Sequence, residues 1–256
     1  AESYRKIRNT FRFILGNIQD NYKKVDFKDL NVKELPELER YILHKIFILD
    51  LNYKENLKNY NFHKLHKELL NFCSLDLSSF YFDIRKDSLY CDSLDAPKRK
   101  STVIFLNILL EILLKWFAPI LSFTTEEIYR LVKIDSKKSI HLESFPEIPA
   151  NWNNKKLETK WMELIKIRET CNSSIELKRA SKEIGSSLEA NLVINLNKKM
   201  INLVQDIDFS ELCITSDAKI KESKSGEIVV ETIKAVGNKC PVCWKINENK
   251  CERHSG

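Results

Sequence analysis

The sequence predicts a mainly α-helical protein: an antiparallel helical bundle, then a small α+β module, then a metal-binding knuckle near the last residues. Three observations predict this fold class. Apolar residues recur at helical spacing up to about Lys182. Short runs rich in β-branched residues follow Gly185. Three cysteines and one histidine lie within residues 240–254. A chain of 256 residues is long enough for one helical domain with its own core and a smaller module.

Six segments carry the helical pattern, and the modest length of their connections predicts an antiparallel bundle. Their approximate ranges are 4–18, 38–49, 61–85, 98–119, a short helix opening over 122–127, and 155–182. The first segment has no N-cap ahead of it, so we expect the chain to be the C-terminal portion of something longer. A loop over 20–33 is expected between the first and second helices.

Particular residues support the predicted helix starts and ends. Pro36 suits the first turn of the second helix, where its missing N–H costs nothing. Asn61 is expected to cap the third helix. Thr124 is expected to cap the fifth, with Glu127 three residues later completing a capping box. The ring of Pro119 is expected to end or kink the fourth.

The pattern changes after Gly185, where short β-rich runs replace the long helical repeats. The expected elements are strands at 190–196, 212–215 and 227–236, a helix at 198–205, and a polar turn-like stretch at 216–226. The expected domains are a helical bundle over 1–184, an α+β junction module over 185–236 and a metal-binding tail over 237–256.

The longest apolar stretch, residues 103–121, is interrupted by Asn107, Glu111 and Lys115 at helical spacing. This pattern is typical of a buried bundle helix and argues against a membrane span. No signal peptide is visible. The four cysteines outside the terminal cluster are scattered, which is typical of reduced thiols. We therefore expect a cytoplasmic protein.

The densest motif of the chain has the spacing C-x-x-C-x7-C-x-x-H. Its members are Cys240, Cys243, Cys251 and His254. Each knuckle places two soft donors on one tight turn, and two knuckles facing each other complete a tetrahedral Zn²⁺ site. Four protein ligands leave no open position, so the site would be structural and not catalytic. The alternatives are chance spacing and a redox-active cysteine pair, which has no need of the second knuckle.

The formal net charge of +6 permits an anionic partner. Because lysine greatly outnumbers arginine, the few arginines are the more informative cations. At about 100° per residue, four residues of the sixth helix lie near one line. These candidates for contacts with a partner are Trp161, Arg168, Asn172 and Arg179. The alternative is that the arginine stems lie along the bundle and that Trp161 belongs to the core.

Two further groups of cations lie near helices of the bundle. Lys98 and Arg99 precede the most apolar helix, where positive charge opposes the helix dipole. A bound anion such as a phosphate would offset that cost. Arg5, Arg8 and Arg12 flank the apolar stripe of the first helix, and pairing with acidic residues of adjoining domains is the favoured interpretation for them.

Five blocks of the sequence resemble one family in the order in which that family has them. They are YRKIRNTFRFILGN at 4–17, FYFDIRKD at 80–87, APILSFT at 118–124, GSSLEA at 185–190 and KCPVCW at 239–244. The chain resembles, over nearly its whole length, the C-terminal part of bacterial-type isoleucyl-tRNA synthetases of class I, with their anticodon-binding domain. The first three blocks are shared in part with valyl and leucyl relatives, whereas the last two are more specific. His254 departs from the family pattern, which usually has a longer loop and a fourth cysteine.

The resemblance implies a function in translation for the whole protein. The whole enzyme attaches isoleucine to its tRNA using ATP, with ATP and Mg²⁺ held in a catalytic domain upstream in the same polypeptide. This chain contains neither an H-I-G-H nor a K-M-S-K-S sequence, so it is expected to be non-catalytic alone. The implied partner is the anticodon stem-loop of the tRNA for isoleucine. A monomer with one structural Zn²⁺ and no membrane contact is expected.

Two alternatives to this interpretation remain at the level of the sequence. In the first alternative, the chain is the same region of a valyl- or leucyl-tRNA synthetase. In the second, it is a free-standing zinc-containing adaptor that binds protein. In the adaptor, the basic residues would be merely solvated.

Overall fold

The predicted helical bundle is present in a computed structural model, which describes residues 2–18, 25–27, 29–132 and 138–254. The chain forms two units, residues 1–155 and 156–256. The helices of the first unit are α1 (Glu2–Ile18), α2 (Glu37–Lys58), α3 (Phe62–Asn71), α4 (Phe82–Cys91), α5 (Pro97–Phe117) and α6 (Ser122–Val132). Its short 3-10 turns are Val32–Glu34, Ile140–Leu142 and Ala150–Trp152. The loop expected over 20–33 lies partly outside the described residues.

A π-helical segment, Phe72–Tyr81, joins α3 to α4 without a break in the helical backbone. The third predicted helix is therefore one long helical stretch that ends at Cys91, later than the expected end near residue 85. Each hydrogen-bonded turn of a π-helix contains one residue more than a turn of an α-helix. The buried face of the stretch therefore rotates about the helix axis along this segment.

Helix α5 is the central element of the first unit, since it packs against α1, α4 and α6. Every residue from 105 to 114 is buried. A helix surrounded on all sides is expected to be apolar all round, which explains the longest apolar stretch of the sequence. Asn107 fits this environment because its amide donates to the Val103 carbonyl at 2.9 Å. None of the described helices combines the length and apolarity that crossing a lipid bilayer requires.

The predicted helix caps are corrected in two places. Asn61 stands at the N-cap position of α3, but its side chain makes no capping hydrogen bond. Thr124 lies inside α6, which begins at Ser122, and its hydroxyl lies 3.1 Å from the Tyr4 hydroxyl. Pro36 occupies the N-cap position of α2, one place before the expected first turn.

The second unit contains one long helix and a small sheet. Its elements are α7 (Lys155–Ala180), β1 (Ala190–Leu196), α8 (Lys198–Val204), α9 (Phe209–Leu212), β2 (Asp217–Glu222), β3 (Val229–Lys234), β4 (Asn238–Lys239) and β5 (Ile246–Asn247). The 3-10 turn Ser187–Glu189 precedes β1. The helix α7 confirms the sixth predicted helix, but it belongs to the second unit and not to the bundle. As a division into domains, the ranges 1–184, 185–236 and 237–256 stay a prediction.

The three-stranded sheet has the order β2-β1-β3, with β1 parallel to β2 and antiparallel to β3. Leu192 at the centre of β1 pairs with Ala218 on one side and with Thr232 on the other. Alternate residues of β1 are buried, as a strand with one face on the core requires. The hydroxyls of Ser174 in α7 and Thr232 in β3 lie 2.7 Å apart, so α7 packs on this sheet.

The expected strand at 212–215 is wrong. Leu212 ends α9, a helix whose N-cap, Asp208, accepts hydrogen bonds from the backbone of Ser210 and Glu211. The strand lies instead at 217–222, within the stretch expected to be a turn. This strand is polar because it forms an edge of the sheet, and charged side chains are common on edge strands.

Candidate metal centre and nucleic-acid interface

The hairpin formed by β4 and β5 positions the first knuckle. The Cys240 N–H donates to the Lys245 carbonyl at 2.9 Å, and the Trp244 N–H donates to the Cys240 carbonyl at 3.0 Å. These bonds close a tight turn that holds the side chains of Cys240 and Cys243 on one side. Trp244 has a left-handed φ of 64°, which costs a non-glycine residue about 1 kcal/mol. The turn is therefore held by its surroundings and not by local preference.

The second knuckle is a turn in which the His254 N–H donates to the Cys251 carbonyl at 3.0 Å. This bond places the two side chains together, and the Cys251 sulfur lies 3.4 Å from His254 Nδ1. The two knuckles face each other. The Cys240 sulfur lies 3.5 Å from His254 Nδ1, and the Cys243 sulfur lies 3.9 Å from the Cys251 sulfur.

These distances fit a tetrahedral zinc site. With Zn–S bonds of about 2.3 Å and Zn–N bonds of about 2.0 Å, tetrahedral geometry separates two sulfurs by about 3.8 Å and a sulfur from a nitrogen by about 3.5 Å. All four donor atoms lie within 4.8 Å of one another. The four residues predicted from the spacing are thus brought together and could hold a metal ion. Zinc bound there would cross-link the two knuckles.

Hydrogen bonds and burial act on the thiols of the first knuckle in opposite directions. Backbone N–H groups of Cys243 and Val242 stabilise the thiolate and lower the pKa of Cys240 to about 6. Burial raises the pKa of the Cys243 thiol, so this sulfur needs a cation to stay ionised. Metal binding is therefore expected to release protons and to weaken as pH falls.

Two serines attach the hairpin to the remainder of the second unit. The Ser216 hydroxyl accepts from the Ile246 N–H at 2.6 Å and donates to the Leu188 carbonyl at 2.5 Å. The Lys245 ammonium donates to the Ser210 hydroxyl at 3.0 Å. These contacts are not visible in the sequence, because a serine gives no signal of its hydrogen-bond partners.

Gly237 precedes the hairpin in a conformation that other residues rarely adopt. Its φ is +129°, and an added Cβ would lie 2.2 Å from the Asn247 carbonyl oxygen. We expect Gly237→Ala to displace β5 and to weaken zinc retention at least tenfold, measured by competition with a chromogenic chelator. The matched control is Gly226→Ala, whose added Cβ meets nothing within 4 Å. Equal zinc affinity in the two variants would contradict this prediction.

The four candidates on α7 differ in exposure. Trp161 is 3% exposed, so its ring belongs to the core of the second unit. Arg168 is half-buried and its Nε donates to the Leu212 carbonyl at 2.8 Å, at the end of α9. Asn172 is half-buried. Arg179 is exposed and forms an ion pair with Glu176 at 2.6 Å. Arg179 is the member of this group that a large anionic partner could reach most easily.

The cations near the start of α5 also differ. Lys98 is exposed, whereas Arg99 is half-buried and donates to the Asp92 carbonyl at 2.5 Å. Arg99 therefore fastens the turn between α4 and α5. On α1, Arg8 donates to the Tyr4 hydroxyl at 3.3 Å.

An exposed aromatic ring lies beside the metal cluster. Trp244 is 58% exposed, and the Lys239 ammonium lies 5.2 Å from the centre of its ring. A cation next to an exposed indole is a combination that proteins use to stack on bases and pair with phosphates. The sequence pointed to Trp244 only as part of a family motif.

The described residues combine a helical bundle with a small sheet and a cysteine–histidine cluster. A sequence model described as "Anticodon-binding domain of tRNA ligase" matches residues 39–194. The chain belongs to this family of anticodon-binding domains. The range covers most of the helical bundle, α7 and the first strand.

The curated relatives that the chain resembles are isoleucine–tRNA ligases. The protein of Pelagibacter ubique is 62% identical over 255 residues, which is 100% of this chain and 28% of that relative. The protein of Agrobacterium fabrum is 38% identical over 257 residues, which is 96% of this chain and 26% of that relative. The chain thus spans about a quarter of these relatives and corresponds to their C-terminal part.

Proposed function

We propose that this chain is the part of an isoleucine–tRNA ligase that binds the anticodon stem-loop of the tRNA for isoleucine. The observation that carries the proposal is the 62% identity to such a ligase along the full length of the chain. Attachment of isoleucine to tRNA, with ATP and Mg²⁺, belongs to the whole enzyme and to its catalytic domain upstream. The fragment alone is not catalytic.

The cofactor proposed for this chain is one structural Zn²⁺, held by the two knuckles. Its ligands are Cys240, Cys243, Cys251 and His254. Bound zinc supplies a cross-link and no open coordination position. Lys239 and Trp244 directly flank the two cysteines of the first knuckle. A metal held there would support RNA binding by fixing the positions of these two side chains.

The proposed RNA contacts rest on exposure and charge. Arg179 and Lys98 are exposed cations suited to phosphates. Asn172 offers an amide that can pair with a base edge. Arg168 and Arg99 each donate one N–H to a backbone carbonyl, and the proposal assigns both guanidinium groups to contacts with RNA as well. Trp161 would need its buried ring to become exposed, so it is the weakest member of the set.

Binding of the stem-loop is expected to depend on the anticodon. The chain should bind an RNA hairpin with the isoleucine anticodon more tightly than a hairpin with those three bases changed. At near-physiological salt each base contact is worth about 1–3 kcal/mol, a factor of about 5 to 150. Fluorescence anisotropy with both hairpins measures the ratio. Raising the salt should weaken both complexes, because neutralised phosphates release counterions.

Arg179→Ala tests a phosphate contact within this prediction. We expect similar weakening for both hairpins and a salt slope that is shallower by about one. Lys166→Ala is the matched control, since Lys166 forms an ion pair with Glu163 three residues away on the same helix. Arg168→Ala should lower the matched-to-altered ratio if Arg168 reads a base.

The outcomes separate the candidate functions. Equal affinity of the folded protein for both hairpins would contradict the proposal that the chain reads the anticodon. It would favour the alternative of an adaptor with a purely electrostatic affinity for RNA. Preference for a valine or leucine anticodon would assign the chain to those enzymes. A monomer in the cytoplasm is part of the proposal, and sedimentation of the purified chain measures its oligomeric state.

A further inference from the structure

A shallow groove runs along one face of α1, beside the end of α4. Its volume is about 350 Å³, in the lower part of the range of small-ligand pockets. The lining residues are Asn9, Arg12, Phe13, Gly16, Asn17 and Tyr90. The first five follow one another at alternating intervals of three residues and one, so they share one face of the helix. From the sequence alone, Arg12 on this face was expected to pair with acidic residues of adjoining domains.

Gly16 is the residue that keeps the groove open. A glycine inside a helix costs about 0.5–1 kcal/mol relative to alanine. Neither usual reason for a helical glycine applies here, because its φ is not positive and an added Cβ would meet nothing within 4 Å. A remaining reason is the close approach of a partner that fills this space.

The floor and walls of the groove differ in character. Phe13 stacks on Phe82 with ring centres 4.2 Å apart, which gives the floor a rigid aromatic base. Tyr90 is 62% exposed at the side of the groove. A ring in this position can stack on a planar ligand without first leaving a packed core.

The polar groups of the groove are available to a ligand. Among the residues that the structure describes, none forms a hydrogen bond or an ion pair with the side chains of Arg12 or Asn9. The Asn17 amide donates to the Phe13 carbonyl at 2.8 Å, which leaves its carbonyl oxygen as an acceptor. A guanidinium, two amides and an exposed ring form the donor, acceptor and stacking set that reads an unpaired base.

We infer that this groove binds one unpaired nucleotide of an RNA loop, with its base on Tyr90 and Arg12 on its edge or phosphate. The inference rests on the proposed function and assigns anticodon reading in part to α1 and α4 of the first unit. A nucleotide suits this mixed lining, because the apolar faces of its base can lie on the rings while its polar edge and phosphate meet the guanidinium and amides. Gly16 then admits the sugar or base close to the helix backbone.

The test compares four variants in binding the isoleucine-anticodon hairpin at physiological salt. Tyr90→Ala should weaken binding roughly five- to hundredfold, the effect of losing one stacked base. Arg12→Ala should weaken it about tenfold or more. Gly16→Gln should weaken it about tenfold or more by filling the groove, and Gly16→Ala should weaken it by less, because it adds only a methyl group.

A fluorescent base reports the position directly. 2-Aminopurine placed at successive loop positions should be quenched at one position by the wild-type chain, and that quenching should be lost in Tyr90→Ala. Lys67→Ala is the control, because it removes one exposed charge from α3 and lines no part of the groove. Circular dichroism checks that each variant is folded.

The results distinguish the groove from the proposed function. Suppose that the wild-type chain discriminates between the two hairpins while Tyr90→Ala, Arg12→Ala and Gly16→Gln bind as wild type does. The inference that the groove binds a nucleotide is then overturned, and the proposed function stands. If wild type does not bind the hairpin, the proposed function fails first. Equal weakening by Lys67→Ala and Arg12→Ala would also overturn the groove, because it indicates a general charge effect.

Discussion

Removal of zinc is expected to unfold residues 237–254 and to leave the helices folded. The hairpin of β4 and β5 has two residues in each strand, too few to be stable alone. The apparent free energy of zinc binding in comparable small modules is about 10–16 kcal/mol, so the metal dominates their folding. Hydrogen exchange followed by mass spectrometry should show fast exchange in this segment after chelation and unchanged protection in α5.

The ligand variants sharpen this prediction. Freshly purified, reduced protein should contain about one zinc per chain, and Cys240→Ala, Cys243→Ala or Cys251→Ala should each lose it. Cys91→Ala is the control, since Cys91 lies outside the cluster. If His254→Ala retains full zinc, the site stands but its fourth ligand is different. Absence of zinc from the wild-type protein would contradict the assignment.

The grouping of the four candidate metal ligands was predictable because each pair lies on a single turn. In C-x-x-C and C-x-x-H the sequence itself sets the distance between two donors, and only the meeting of two turns is left to the fold. The separations of 3.4–3.9 Å between these donor atoms in the structure agree with the expected site. A local motif of this kind needs little knowledge of tertiary structure.

The long helices of both units were predictable for a similar reason. Repeating apolar residues indicate burial along one face of a helix, and both ends of α1, α5 and α7 lie within two residues of their expected positions. The edge strand β2 was missed because it carries a polar sequence. A strand was wrongly expected at 212–215, directly where α9 ends, because apolar residues over four positions do not define a period.

Contacts between distant segments could not be predicted from the sequence. The hydrogen bond from Arg168 to the Leu212 carbonyl joins residues 44 positions apart, and nothing in the sequence indicates it. The groove beside Tyr90 likewise depends on the packing of α4 against α1. The spacing of residues in the sequence shows which side chains share a face of one helix. It does not show which other helix packs against that face.

Another contact of this kind is the buried ion pair of Glu39 and Arg85, which joins α2 to α4. Arg85 donates from Nε and from one terminal nitrogen to the two carboxylate oxygens, both at 2.6 Å. The Tyr81 hydroxyl donates to the same carboxylate at 3.0 Å. Burial raises the pKa of Tyr81 well above its usual range, so this phenol remains a donor. Glu39 is 0% exposed and depends on these donors for its stability.

Loss of either partner is expected to destabilise the protein by about 3–5 kcal/mol, since the other charge stays buried without compensation. Arg85→Met and Glu39→Gln should therefore both lower the midpoint of urea unfolding substantially. The double variant Glu39→Met with Arg85→Met should cost less than the sum of the single changes, because it buries no charge. Lys86→Ala is the control: Lys86 pairs with Asp83 at the surface, where an ion pair contributes about 0–1 kcal/mol. An effect of Arg85→Met as small as that of Lys86→Ala would show that the buried pair does not hold α2 and α4 together.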